Sequence, residues 1–124
     1  MKSILFVCTH NSMRSQMAEA LIERIYPGKY KAFSAGTQPT GLNPLAVEAL
    51  RELGLDITGS RSKSINDLDV KEFDLVVTLC DDAKKACPII PGRKHLHMAL
   101  PNPATLAEAV KARDTLTEWI SENL

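Results

Sequence analysis

The sequence predicts an α/β protein: a three-layer sandwich with a central four-stranded parallel sheet and helices on both faces. Two observations predict this class. Short apolar runs alternate with segments in which apolar residues recur at helical spacing. Gly and Pro separate these segments. Because strands that alternate with helices usually form parallel sheets, we expect a single domain spanning residues 1–124.

The first half of the chain contains two predicted strand–helix pairs. Residues 3–8 form a buried apolar strand, and residues 15–26 form a helix with one apolar face. Residues 31–35 form a second short strand. A second helix begins at Asn43–Pro44, because Asn caps helices and Pro fits their first turn, and it ends at Gly54.

The second half contains two further predicted strands. Residues 67–72 form a short helix and residues 73–79 the third strand. Residues 81–86 form a helical turn, residues 94–98 the fourth strand, and residues 103–124 a long terminal helix. The inward side chains predicted for this last helix are Leu106, Ala109, Val110, Leu116, Trp119 and Ile120.

The charge balance excludes a protein that binds nucleic acid through a bulk basic field. Lys and Arg number 15, and so do Asp and Glu, so any anion site must be local. The apolar stretch at the N-terminus is too short for a signal peptide or a membrane span. We therefore expect a cytoplasmic protein whose three cysteines stay reduced and serve chemistry, with neither nucleic acid nor membrane as a partner.

Cys8 and Arg14 form the most informative pattern in the sequence. The apolar run at residues 4–7 ends at Cys8, and five residues separate Cys8 from Arg14. Their backbone N–H groups can surround an oxyanion, and the Arg14 guanidinium presents a planar fork of donors to it. These residues are Thr9, His10, Asn11, Ser12 and Met13. A cysteine in such a positive setting favours its thiolate, which predicts nucleophilic attack on a bound oxyanion.

The helix that follows strengthens this interpretation. Its N-terminus carries a partial positive charge toward the anion. Ser15, at the start of the helix, can cap it or donate to the Cys8 thiolate. The alternative is a buried structural Cys8 and a surface Arg14 without a joint function.

Cys80 and Cys87 form a second pattern. Positions seven apart on an ideal helix lie roughly 10 Å apart, whereas a disulfide needs Cα atoms roughly 4.4–6.8 Å apart. The pair can therefore oxidise only if the segment unwinds. The hypothesis is a relay in which Cys8 attacks the oxyanion, Cys80 attacks the adduct, and Cys87 takes over Cys80.

Two alternatives compete with the relay. Cys80 and Cys87 can be core cysteines, since free cysteine is often buried. They can also join His95 and His97 in a zinc site, but the spacing of the two cysteines exceeds that of usual structural zinc pairs. We therefore expect neither a metal nor another cofactor.

These residues resemble a known family. The chain is similar to the low-molecular-weight protein tyrosine phosphatases, and more closely to their thioredoxin-coupled arsenate reductase branch. The matching stretches lie at residues 7–19, 34–36, 41–44, 54–57, 74–80 and 86–88. The resemblance implies reduction of arsenate to arsenite in arsenic detoxification, with Cys8 as nucleophile, Arg14 as anion clamp and Ser15 as the helper at the thiolate. It also implies that Cys80 and Cys87 resolve the adduct and that thioredoxin or a similar dithiol reduces them.

Asn102 departs from the family pattern. Relatives usually carry an aspartate before the last helix that acts as general acid, whereas this chain has Pro101-Asn102-Pro103 there. A carboxamide cannot supply that proton, and general acid catalysis contributes on the order of 100- to 10,000-fold. Asn102 is alternatively a plain loop residue or a helix N-cap.

Three hypotheses follow from the sequence. The first is a thioredoxin-dependent arsenate reductase with residual phosphatase activity. The second is a phosphatase for phosphotyrosine or small phosphoesters in which Cys80 and Cys87 protect Cys8 from over-oxidation. The third is a non-enzymatic oxyanion sensor or redox-linked binding module, which Asn102 alone favours.

Overall fold

The computed structural model describes residues 1–69, 72–79, 90 and 92–124 of the chain. The elements within these residues are β1 (Lys2–Cys8), α1 (Arg14–Ile25), β2 (Tyr30–Gly36), α2 (Pro44–Arg51), a 3-10 helix (Ile65–Asp67), β3 (Phe73–Thr78), β4 (Gly92–His97) and α3 (Leu106–Asn123). None of the described helices is both long enough and apolar enough to cross a membrane.

The four strands form one parallel sheet in the order β2-β1-β3-β4. β1 lies in the middle, and both of its neighbours run alongside it to its last residues. Cys8 pairs with Gly36 at the end of β2, and Val7 pairs with Thr78 at the end of β3. The predicted α/β fold with a central four-stranded parallel sheet is confirmed, and Cys8 lies at the carboxyl edge of its central strand.

The sheet is covered on both faces. Ile4 and Phe6 of β1 point to one side and belong to a buried cluster with apolar residues of α1, α2 and α3. Leu5 and Val7 point to the other side, as alternation along a strand requires, and pack with Ile65 and Ile90 among others. In the described part of the chain, the α-helices thus form one layer, and the 3-10 helix with its flanking segment lies on the opposite face.

Two of the predicted helices differ from the structure: the short helix at residues 67–72 and the terminal helix at residues 103–124. The helix predicted at residues 67–72 is wrong: a 3-10 helix ends at Asp67, where the Ser64 hydroxyl accepts an N–H and the Asp67 carboxylate accepts the Ser64 N–H. This reciprocal cap closes a single turn. Residues 70 and 71 and the turn predicted at residues 81–86 lie outside the described residues.

The terminal helix begins later than its apolar spacing predicts. Thr105 is the N-cap, and its side chain accepts the Glu108 N–H, so α3 starts at Leu106 rather than at Pro103. Leu106 is 41% exposed and not an inward residue. Ala109, Leu116 and Ile120 are buried as predicted.

Candidate functional site

Cys8 is buried at the point where β1 meets the loop that leads to α1. Cys8 is 1% exposed. The Asn11 N–H donates to Cys8 Sγ at 3.3 Å, and Ser15 Oγ lies 2.9 Å from the same sulfur. Two polar groups therefore converge on the thiol from the loop and from the first turn of α1.

Four successive carbonyl groups of this loop, at residues 9–12, accept hydrogen bonds from outside it. Thr9 O accepts the Gln38 N–H at 2.8 Å, and His10 O accepts the Thr40 N–H at 3.2 Å. The next two carbonyls are bound as well: Asn11 O accepts from Gln16 Nε2 at 3.2 Å, and Ser12 O accepts the Asn43 N–H at 2.9 Å. Donors from outside the loop thus hold four successive carbonyls.

This arrangement turns the loop N–H groups inward. In each planar peptide unit the N–H points opposite to the preceding C=O, so the N–H groups of residues 10–13 point away from the donors that bind these carbonyls. The Asn11 N–H, bound to Cys8 Sγ, shows this direction. The Met13 side chain does not cap α1, whose positive N-terminal end opens toward the same space. The result is a concave set of donors suited to a small oxyanion.

Arg14 lies at the end of this loop and is almost completely buried. Its Nη1 donates to Leu100 O at 3.0 Å, and the residue is 7% exposed. This bond ties the start of α1 to the segment that precedes α3. A guanidinium has five N–H donors, so Arg14 can keep this bond and still present others to an anion.

Ser15 does not cap the helix, which is one of the two roles that the sequence allows. It lies inside α1, and Asn11 Nδ2 donates to its oxygen at 2.8 Å. With that donor in place, the Ser15 hydroxyl hydrogen can be directed to Cys8 Sγ, 2.9 Å away. The other predicted role, donation to the sulfur, therefore agrees with the geometry.

Asn11 holds the loop in an unusual conformation. Its φ is 47°, the single positive value among the non-glycine residues that the structure describes. Asn tolerates this left-handed region better than most residues. Its Oδ1 accepts the Lys63 N–H at 2.7 Å and Gln16 Nε2 at 3.1 Å. The sequence placed Asn11 in the loop but did not indicate these two partners.

Gly36 is required where β2 approaches the loop. A Cβ at this position would lie 2.7 Å from Asn11 N and 2.7 Å from Thr9 O, closer than real Cβ contacts. The Gly36 N–H donates to Lys63 O at 2.8 Å. The backbone of β2 thus forms one wall of the loop, and the sequence signal was no more than a glycine at the end of a short strand.

The partly buried carboxyl group of Glu19 lies near Ser34 and Lys63. Burial raises the pKa of Glu19, while the Lys63 ammonium and the hydrogen bond from the Ser34 hydroxyl, 3.3 Å long, act in the opposite direction. Lys63 also donates from Nζ to Arg61 O at 2.9 Å. These residues therefore combine one partly buried acid with one neighbouring cation. Among the described residues, no three His, Cys, Asp or Glu side chains cluster as a metal site requires.

Of the remaining predicted site residues, the structure describes Asn102 but not Cys80 or Cys87. Asn102 is exposed, and it lines a cavity of about 280 Å³ between residues 99–103 and α3. It does not cap α3, because Thr105 does. Cys80 and Cys87 lie outside the described residues. The residue before Cys80 is described: the Leu79 N–H donates to Val7 O at 2.8 Å, next to Cys8.

Comparisons with known proteins agree with this geometry. Residues 3–103 match the low molecular weight phosphotyrosine protein phosphatase family. Arsenate reductase 2 of Staphylococcus saprophyticus is 40% identical over 98% of this chain and 95% of its own length. A structure of an arsenate reductase in the phosphate binding state superposes with a TM-score of 0.84 at 27% identity, covering 98% of this chain and 95% of the other.

A third relative is the thioredoxin-dependent arsenate reductase of Corynebacterium glutamicum. Its structure has a TM-score of 0.78 and 30% identity, and the match covers 98% of this chain but 61% of that protein. Both superpositions cover 98% of this chain. The chain belongs to the low molecular weight phosphotyrosine protein phosphatase family.

Proposed function

We propose that this protein reduces arsenate to arsenite, with Cys8 as the nucleophile and a thioredoxin-like dithiol as the reductant. The observation that carries the proposal is the orientation of the loop after β1. Its carbonyls are bound outward, so its N–H groups face a buried thiol. Preorganised donors of this kind stabilise a tetrahedral oxyanion and the charge that develops on it.

The first step is attack of Cys8 Sγ on arsenic. The Asn11 N–H and the Ser15 hydroxyl stabilise negative charge on the sulfur, while Arg14 and the loop N–H groups hold the arsenate oxygens. A sulfur–arsenic bond forms, and one arsenate oxygen leaves as water after protonation. Arsenate carries its own hydroxyl groups near neutral pH, so the leaving oxygen needs less help from a protein acid than an alkoxide does.

The next steps form disulfides. The Cys80 thiolate attacks the sulfur of Cys8, the sulfur–arsenic bond breaks, and its electron pair stays on arsenic, which leaves as arsenite. Cys87 then attacks Cys80, which releases Cys8 as a thiolate and leaves a Cys80–Cys87 disulfide. A dithiol partner reduces that disulfide and restores the enzyme. The similarity to the thioredoxin-dependent reductase of Corynebacterium glutamicum supports this choice of partner.

Asn102 favours this reaction over phosphoester hydrolysis. A phosphatase must protonate an alkoxide or phenolate leaving group, and general acid catalysis typically contributes on the order of 100- to 10,000-fold. The carboxamide at position 102 cannot provide that proton.

The relay also needs reduced thiols, which a reducing compartment such as the cytoplasm maintains.

The alternative is a phosphatase whose later cysteines protect Cys8. The family assignment itself favours it as a second candidate, because the family is one of phosphotyrosine phosphatases. In that case Cys80 and Cys87 would intercept an oxidised Cys8 before it passes beyond the sulfenic acid. Aryl phosphate would then be turned over without any reductant.

The test supplies both substrates in parallel. Purified protein receives arsenate with thioredoxin, thioredoxin reductase and NADPH, or an aryl phosphate alone. We expect arsenate to accelerate NADPH consumption, Cys87→Ser to stop after one turnover, and mass spectrometry to find a Cys80–Cys87 disulfide. Phosphate release without arsenate-dependent NADPH consumption would establish the phosphatase instead. Binding of arsenate without either reaction would establish an oxyanion-binding module.

A further inference from the structure

Gln16 is a buried polar residue in the first turn of α1, and the proposed mechanism gives it no role. The residue is 1% exposed. Its neighbours in the helix sequence, Met17 and Ala18, are core residues. A polar side chain in such surroundings needs hydrogen-bond partners, since burial without them destabilises the protein.

The carboxamide nitrogen of Gln16 joins two segments that are far apart in the sequence. Nε2 donates to Asn11 Oδ1 at 3.1 Å, to Asn11 O at 3.2 Å and to Arg61 O at 2.8 Å. Two hydrogens serve three acceptors, so one of them is shared. The side chain therefore clasps the backbone and the side chain of Asn11 at once, and anchors both to residue 61.

The orientation of this carboxamide is fixed, and it leaves one atom unbound. All three partners of the nitrogen are oxygen acceptors, so exchanging nitrogen and oxygen would place an oxygen against three others. Gln16 Oε1 is buried and has no donor among the described residues. An unpaired buried acceptor destabilises the folded protein. The hydrogen bonds of the Gln16 nitrogen must offset this free-energy cost.

Asn11 is the residue through which this clasp reaches the thiol. The Asn11 N–H donates to Cys8 Sγ, and Asn11 Nδ2 donates to Ser15 Oγ, the second group at the sulfur. Both donors belong to Asn11, whose backbone is left-handed, with φ at 47°. A change in that conformation would move both donors together.

We propose that Gln16 is a positioning residue that holds Asn11 in its left-handed conformation and thereby aims the Asn11 N–H and the Ser15 hydroxyl at Cys8 Sγ. This inference rests on the proposed role of Cys8 as the nucleophile. It does not depend on arsenate being the substrate, because any oxyanion chemistry at Cys8 needs the same two donors.

The experiment compares Gln16→Met with Met17→Leu. Met preserves the length of the side chain and removes the carboxamide, and Met17→Leu changes an adjacent buried residue whose side chain is apolar. Peptide-resolved mass spectrometry measures the rate of Cys8 alkylation by iodoacetamide across pH, with and without inorganic phosphate. For Gln16→Met we expect the midpoint of the pH profile to rise and phosphate protection to weaken by about tenfold. Met17→Leu should change neither.

A double-mutant cycle tests whether Gln16 acts through Asn11. Glycine adopts a positive φ without strain, so in an Asn11→Gly background the further change Gln16→Met should alter phosphate protection by less than about twofold. If Gln16→Met does not fold, Gln16→Asn, which keeps the amide but is too short to reach Asn11, replaces it with the same expected direction.

Two results would overturn the inference. One is a folded Gln16 variant with the wild-type pH profile and wild-type phosphate protection. The other is a lower melting temperature with an unchanged profile, which would assign Gln16 a purely structural role. Failure of the proposed function is distinguishable: wild-type protein that does not reduce arsenate but shows the expected Cys8 profiles would refute the reductase and leave the role of Gln16 intact.

Discussion

The loop after β1 and the segment before α3 both contact Arg14, but they are held in different ways. In the loop, four successive carbonyls accept hydrogen bonds from outside it. In the segment, Leu100 is fixed on two sides, through its N–H to Leu79 O and its carbonyl to Arg14, whereas Pro101 and Asn102 are exposed. In the proposed mechanism the loop binds the anion, whereas the segment before α3 is the place for a proton donor. That segment carries Asn102, whose carboxamide cannot supply a proton.

Replacing Arg14 by Lys should break the connection between these two regions and give the largest effect. A lysine ammonium has three N–H donors but lacks the planar fork, so it cannot bond Leu100 O and also present paired N–H groups to an oxyanion. We expect kcat/KM for arsenate to fall by about 100-fold or more, with a parallel loss of phosphate binding measured by calorimetry. Arg24→Lys, an exposed change on the same helix, is the control. A variant with wild-type phosphate affinity would contradict the role assigned to Arg14.

Gly36→Ala should damage the loop alone. The new Cβ would meet Asn11 N and Thr9 O at 2.7 Å, so the loop backbone must move. We expect phosphate affinity to decrease by roughly tenfold to 100-fold, by the energetic scale of overpacking. Gly59→Ala is a matched control, because a Cβ there meets nothing within 4 Å. Equal affinities for the two variants would show that the close approach of β2 does not shape the site.

Asn102→Asp tests the other region. A carboxyl group at this position can protonate a leaving group, so hydrolysis of an aryl phosphate should increase by about tenfold or more, with a new acidic limb in its pH profile. Arsenate reduction should change less. The control is Asn66→Asp, which adds the same charge in the exposed 3-10 helix. An unchanged phosphatase rate would mean that position 102 does not reach the leaving group.

Glu19→Gln gives the smallest effect, which appears as a pH dependence of stability. Burial raises the pKa of Glu19 in the folded protein above its value in the unfolded chain. Its favourable contribution is therefore present below the unfolded pKa and is lost as pH rises through the folded pKa. Urea unfolding from pH 4 to 8 should show that wild type loses stability relative to the variant as pH rises. Glu122→Gln, which removes an exposed carboxylate, controls for net charge, and parallel curves for wild type and Glu19→Gln would refute the prediction.

The sequence predicted the residues of the loop better than the residues that hold it. Cys8, Arg14 and Ser15 are close in the sequence, and their types carry the chemistry. Gln16 and Gly36 lie in stretches that resemble the family but were assigned no role, because their significance lies in contacts with Arg61, Asn11 and Thr9 that only the folded chain creates. Spacing alone could not reveal them.

The prediction of helices and strands was limited in the same way, because apolar spacing does not reveal side-chain hydrogen bonds. Apolar runs and apolar spacing located the four strands and three α-helices that lie within the described residues. The start of α3 was misplaced because a side-chain hydrogen bond from Thr105, rather than apolar spacing, sets it. The helix predicted at residues 67–72 is wrong for a similar reason, as the cap between Ser64 and Asp67 closes a single turn.

The outward carbonyls of the loop have a consequence for folding. Three of the four accept from residues far along the chain, and Ser62, for example, donates to His10 O across 52 positions. The set of N–H donors formed by this loop therefore exists only in the folded chain. An oxyanion that binds there stabilises the native state by mass action. Above the dissociation constant, the free energy of unfolding rises with the logarithm of the oxyanion concentration. Phosphate should thus act as a pharmacological chaperone for this protein, and its concentration should determine how long the chain survives heating.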